Sequence, residues 1–192
     1  MAAIQLIVGL GNPGPEYQLT RHNAGFWFVG ALGQHYHCDW RPERRFRSDV
    51  ARCIIDGHDC RLQKPTTFMN CSGQAVGALA GFFRIPLGAL LVAHDDLDLP
   101  AGTVRLKRGG GHGGHNGLRD LVRCLGGSDF HRLRIGIGHP GHRDQVVSYV
   151  LKRPSRSDRD AIEAAVEEAV DVTPLVVAGD MERAMHRLHS RS

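Results

Sequence analysis

Residues 4–8, IQLIV, form a short, largely apolar run rich in branched side chains and closed by Gly9. A strand with one wet face alternates apolar and polar residues, so the consecutive apolar Leu6, Ile7 and Val8 predict a strand buried on both faces, in the middle of a sheet. Further strands are expected around 48–55, 59–63, 89–94, 103–107 and 132–137. Between them, apolar residues recur at helical spacing over 23–36, 73–84 (Ala75, Val76, Leu79, Phe82, Phe83) and 116–125 (Leu118, Leu121, Val122, Leu125). This alternation predicts an α/β domain. Asp56-Gly57 splits 46–63 into a hairpin, which makes the sheet mixed. Ser157 with Asp160 reads as a capping box opening an amphipathic helix through Ile162, Ala165, Val166, Ala169 and Val170. A length of 192 residues, 42% of them hydrophobic, suffices for one core and is short for two. A single domain over 1–192 is expected, with a helical C-terminal part at about 157–189 covering the body.

No run of about 18 apolar residues occurs, and no basic segment followed by an apolar one opens the chain, so neither a membrane span nor a signal peptide is expected. Five scattered cysteines with no CxxC pair predict reduced thiols and a cytoplasmic setting. The net charge is +4, and the cations cluster at 41–47 (RPERRFR), 105–108 (RLKR), 131–134 (HRLR) and 181–192. That pattern suggests a polyanionic partner.

Polar clusters fall where strands or turns end: NPG…RHN (12–23), PTTFMN (65–70), HDDLD (94–98) and GGGHGGHNG (109–117). In an open α/β sheet, loops at the carboxyl ends of strands converge into a site. The glycine-rich stretch lacks the GxxxxGK[ST] pattern, which argues against a nucleotide loop. It suits either a surface loop or a backbone that approaches a ligand closely. Asn116 reads equally as a helix N-cap or as a ligand contact. His94, Asp95, Asp96, Asp98, His112 and His115 include donors for a metal, but no HxxxH or HExxH spacing supports one. A carboxylate ending a buried strand has another use: it fixes a histidine's tautomer and stabilises its cation. His22, with an ordinary pKa of about 6.5, is then the natural general base.

Taken together and in order, GLGNPGPEYQLTRHNAG (9–25), PTTFMNCSG (65–73), VAHDDLDLPAG (92–102), GGGHGGHNGLRD (109–120) and FHRLRIGIGHPG (130–141) resemble the bacterial-type peptidyl-tRNA hydrolases. The resemblance runs from about residue 4 to 153. It implies a single-domain, three-layer phosphorylase/hydrolase-like fold with a twisted mixed sheet flanked by helices. It also implies an esterase without metal or cofactor that frees tRNA from prematurely released peptides, working as a cytoplasmic monomer on peptidyl-tRNA of any sequence.

By the same resemblance, His22 is the base that activates water, Asp95 its carboxylate partner, and Asn12 the residue that separates N-blocked from free aminoacyl esters. Tyr17, Phe68, Asn70 and Asn116 match substrate-binding positions, and Met69 lines the same cleft. Asn70 and Asn116 are the candidates for the reacting carbonyl. Arg105 and Lys107 match basic positions for the tRNA 5′-phosphate, with Arg132 and Arg134 as weaker candidates. A gate is expected near 140–153. Three departures stand out: Cys71 where a larger apolar residue is common, Gln74 for a frequent Lys, and Asp96 for a frequent Glu. The competing readings are a noncatalytic RNA-binding module, like the plastid splicing factors of this fold, and a metal-dependent phosphoesterase.

Overall fold

The computed structural model describes residues 2–190. The last two residues of the basic C-terminal cluster, Arg191 and Ser192, lie outside the described residues. Seven strands form one sheet: β1 (Leu6–Gly9), β2 (Asp39–Glu43), β3 (Ser48–Ile55), β4 (His58–Pro65), β5 (Leu90–Asp96), β6 (Val104–Arg108) and β7 (His131–Gly136). Their order is β2-β3-β4-β1-β5-β7-β6. β4, β1, β5 and β7 run parallel, while β2, β3 and β6 join by antiparallel pairing at the two edges. Among the described residues six α-helices accompany them: α1 (Ala24–His35), α2 (Ser72–Phe82), α3 (Asn116–Leu125), α4 (Val146–Val150), α5 (Arg156–Val177) and α6 (Met181–His189). None is long and apolar enough to cross a membrane.

The Leu6–Val8 part of the IQLIV run lies mid-sheet, in β1, because both its faces are covered. Ile7, Leu91 and Ala93 pack with α1, α5 and α6, whereas Leu6, Val8, Leu90 and Val92 pack with α2 and α3. The hairpin turns at Asp56-Gly57, both with positive φ (49° and 81°), the conformation that a two-residue turn between twisted strands demands.

Several expectations are corrected. The helix near 157 starts earlier: Ser155 is the cap, its side chain accepting from the Asp158 N–H at 3.1 Å. The SxxD pattern occurs in both frames, and the earlier one adds two residues to the helix while keeping Asp158 in the positive first turn. The edge strand β2 and the short α4 carry too little periodicity to be read from sequence. Cys38 and Cys53 are bonded to each other, with Cα atoms 5.4 Å apart, so reduced thiols are found only at Cys60, Cys71 and Cys124. The cause is register. Asp39 pairs with Arg52, which sets the preceding Cys38 beside Cys53 across strands 15 residues apart in sequence.

The connections place the site. α1 leads from β1 to the β2 edge on one face, and α2 leads from β4 across β1 to β5 on the other. The chain therefore parts at the carboxyl ends of β1, β4 and β5, where a crevice opens. α1 is held tightly there: a Cβ on Gly25 would overlap the Ala93 carbonyl and lie 2.6 Å from the Leu10 nitrogen. Gly25→Ala is therefore expected to destabilise the fold by about 1–3 kcal/mol or more. Urea unfolding checks this; an unchanged midpoint would show that α1 can shift freely.

Candidate active site

The crevice is a cleft of about 880 Å³. It is built from the loop after β1, the β4–α2 connection, the end of β5, the glycine-rich loop before α3, and α4. Its wall includes Asn12, His22, Phe68, Met69, Asn70, Asp95, Lys107 and Asn116. Tyr17 stands just outside, its ring edge-on to Phe68 at 6.4 Å. Arg105 is not part of the wall; its guanidinium donates to the Val104 carbonyl at 3.1 Å. Arg105 and Lys107 share one face of β6 with Arg134 and Arg132 opposite them on β7, and of these four it is Lys107, Arg132 and Arg134 that line the cleft.

His22 lies in a single 3₁₀ turn, Arg21–Asn23, directly before α1. Asp95 is the penultimate residue of β5 and is buried. His22 Nδ1 meets Asp95 Oδ2 at 2.9 Å, and His115 Nε2 meets Asp95 Oδ1 at 2.8 Å. The tautomers follow from the network. His115 Nδ1 accepts from the Gly117 and Leu118 N–H groups at 3.1 and 3.3 Å, so the hydrogen of neutral His115 is on Nε2 and is donated to Asp95. His22 donates Nδ1–H to the other oxygen, which leaves its Nε2 as the free, basic nitrogen. Burial works against the His22 cation, but the Asp95 charge and hydrogen bond outweigh it and raise the pKa above the ordinary 6.5. Burial likewise opposes ionisation of Asp95, yet the two imidazoles hold its pKa well below the usual carboxylate range. The three groups are close enough to be drawn as ligands of a metal ion. The hydrogen-bond roles just described account for both carboxylate oxygens without one.

His115, and not Asn116, is therefore the cap of α3. Asn116 is the first helical residue, its amide oxygen 3.3 Å from Arg119 Nη1 and its side chain on the cleft wall. His115 was visible in the sequence only as a weak metal candidate, because its pairing with Asp95 spans 20 residues. Asn23 is a second residue the sequence did not single out. It clamps the Asn12 backbone from both sides, accepting from Asn12 N at 2.9 Å and donating to Asn12 O at 3.0 Å. Asn12 Oδ1 in turn accepts from Met69 N at 2.8 Å, so the Asn12 amide turns its NH₂ donor to the cleft.

The glycine-rich loop is not a free surface loop. Arg132 grips it through the Gly111 and Gly110 carbonyls at 2.5 and 2.7 Å, and Gly111, Gly113 and Gly114 face the cleft. Arg134 is paired with Asp96 at 2.7 Å. His94 donates Nδ1–H to the Asp95 carbonyl at 2.8 Å. Burial and the neighbouring His115 push its pKa down to about 4, so it stays neutral. The expected gate region forms α4, whose Val146, Val147 and Val150 line the cleft. Arg21 fastens α4 to the His22 turn by bonding the Tyr149 carbonyl at 2.9 Å and stacking over the Tyr149 ring at 3.8 Å.

The family model described as peptidyl-tRNA hydrolase matches residues 6–192. Among curated relatives, the peptidyl-tRNA hydrolase of Halorhodospira halophila is 60% identical over 186 residues, covering 97% of this chain and 96% of the relative. That of Alkalilimnicola ehrlichii is 58% identical over 98% of this chain and 96% of its own length. Among solved structures, peptidyl-tRNA hydrolase from Acinetobacter baumannii superposes with a TM-score of 0.96 at 48% identity, covering 98% of this chain and 95% of that one. Sequence, fold and the extent of the match agree: this chain belongs to the peptidyl-tRNA hydrolase family, hydrolases that act on an ester bond.

Proposed function

We propose that the cleft hydrolyses the ester joining an N-blocked peptide to the terminal ribose of tRNA by metal-free general-base catalysis, with His22 as the base. The observation that carries this reading is the 2.9 Å contact of His22 Nδ1 with Asp95 Oδ2, which assigns the ring hydrogen to Nδ1 and leaves Nε2 as the basic nitrogen. Water held by that nitrogen attacks the ester carbonyl while its proton passes to His22. The Asp95 carboxylate offsets the resulting imidazolium. The tetrahedral intermediate collapses as the imidazolium returns the proton to the departing ribose oxygen, giving free peptide acid and tRNA. The Asn70 and Asn116 amides stand on the cleft wall as donors for the developing oxyanion.

Asn12 supplies the discrimination. Because its oxygen is occupied by Met69 N, the amide offers a hydrogen-bond donor to the substrate. A peptide carbonyl accepts that hydrogen, whereas a free α-ammonium sets donor against donor. Phe68, with the Tyr17 ring set perpendicular beside it, gives an apolar contact indifferent to peptide sequence.

The tRNA is held through phosphates by Lys107 on the cleft wall and by Arg105 beside it on the same strand face, contacts that add affinity without reading sequence. Replacing both by Ala is expected to weaken tRNA binding and to reduce the slope of log affinity against log salt by about one to two units, with little loss on a minimal ester. Equal losses on both substrates would assign these residues to folding or chemistry instead. The enzyme is expected to act as a cytoplasmic monomer.

The decisive assay follows release of N-acetyl-amino acid from N-acetyl-aminoacyl-tRNA, with and without chelator, beside unblocked aminoacyl-tRNA. Chelator-resistant hydrolysis that prefers the blocked ester is the expected result. Binding without turnover would point to an RNA-binding module, and chelator-sensitive turnover to a metal mechanism.

A further inference from the structure

The cleft is asymmetric. Of its cations, Lys107, Arg132 and Arg134 stand on β6 and β7, towards one edge of the sheet, and Arg143 stands just before α4, while Phe68, Met69 and Asn70 stand beyond β4 on the other side. With the tRNA on the cationic side and the ester at His22, the peptide leaves across Phe68 and meets α2. We propose that the exposed face of α2, flanked by Arg45 and Arg47 and ended by Phe82, receives the emerging peptide and favours acidic residues there. This rests on the peptidyl-tRNA reading of the cleft and adds a peptide preference to it.

The surface follows the cleft residues Phe68–Asn70 directly along the chain and is already organised. The Arg47 carbonyl accepts from Thr66 N at 2.8 Å, and its guanidinium donates to Gln74 Oε1 at 2.7 Å, which puts a cation over the first turn of α2. One turn further, the exposed Ala78 raises no obstacle. Another turn on, Phe82 is 57% exposed, an unusual state for so large an apolar ring. Its edge rests on Phe46, with ring centroids 5.5 Å apart, and the Arg45 guanidinium sits 4.3 Å from its centroid. Stacking restricts Arg45 and so lowers the entropy cost of pairing with an incoming carboxylate. Among the described residues, no carboxylate pairs with Arg44, Arg45, Arg47 or Arg84. From Gln74 to Phe82 the helix rises about 12 Å, which an extended chain covers in about four residues. About four residues of the peptide beyond those held in the cleft therefore lie along it.

Phosphates would also suit these arginines, but the patch is on the side of the cleft away from Lys107, where the tRNA body does not reach if the cleft cations hold its end. The test compares octapeptidyl-tRNAs carrying Glu, Ser or Lys at the fifth to eighth residues from the ester, with a dipeptidyl-tRNA as control. The wild type is expected to prefer the Glu series over the Lys series in kcat/KM by about three- to tenfold at low salt, the scale of one or two exposed ion pairs. Arg45→Glu should invert that order and Phe82→Gln should narrow it, both leaving dipeptidyl hydrolysis unchanged, which also reports that the variants are folded. Equal rates for the Glu and Lys series in the wild type would overturn the proposal. So would an Arg45→Glu protein that loses affinity for deacylated tRNA and treats all peptides alike, since that assigns the patch to RNA. Absence of dipeptidyl hydrolysis in the wild type would instead defeat the reading of the cleft itself.

Discussion

Replacing His22 by alanine is expected to lower turnover of N-acetyl-aminoacyl-tRNA by about 100- to 10,000-fold, the usual worth of a positioned general base, while tRNA affinity stays close to that of the wild type. Binding is expected to survive because the proposed tRNA contacts, Lys107 and Arg105 on β6, do not depend on the imidazole. Single-turnover hydrolysis and a separate binding titration distinguish the two effects. A His22→Ala protein with near-normal single-turnover rates would remove His22 from the mechanism. In the wild type, the rate should rise with pH as the imidazolium loses its proton. Because Asp95 outweighs burial and raises that pKa, the midpoint of the rise should lie above 6.5.

Asp95→Asn is expected to cost a similar factor for a different reason. Both carboxylate oxygens accept hydrogens, one from His22 Nδ1 and one from His115 Nε2. An amide keeps one acceptor and turns an NH₂ donor towards the other imidazole. His115 cannot readily yield, because its Nδ1 lone pair caps α3. The misfit therefore falls on His22, whose hydrogen moves to Nε2, the nitrogen that must take the proton from water. The residual activity carries a second signature. Without the carboxylate, burial alone governs the His22 cation and disfavours it, so the acid limb of the pH profile should move to lower pH. A normal turnover with an unchanged profile would show that Asp95 does not govern His22.

Much of this molecule was legible from local pattern. The doubly covered strand, the hairpin at Asp56-Gly57 and the amphipathic helices depend on residue order over a few positions. Part of the candidate cleft was legible in the same way: polar motifs at strand ends marked His22, Asp95 and Asn116, the family resemblance added Asn12, Phe68 and Asn70, and the fold brings all six to one cleft. What escaped depends on neighbours distant in sequence. β2 owes its strand conformation to pairing with β3, and Cys38 meets Cys53 only because of that register. Between two SxxD frames, only the folded chain selected Ser155 as the cap.

The site shows the same division at finer scale. By itself the sequence determined which chemistry was available, a histidine, a strand-end aspartate and several asparagines, since residue type fixes pKa range and donor inventory. Only the tertiary structure decided how each is used. His115 caps α3 and braces Asp95, Asn23 clamps Asn12, Met69 N turns the Asn12 amide, and Arg105 stands off the wall that Lys107 lines. Hydrogen-bond roles and tautomers are set by which groups meet across the fold, and those meetings follow from sheet register and loop closure over 11 to 73 residues.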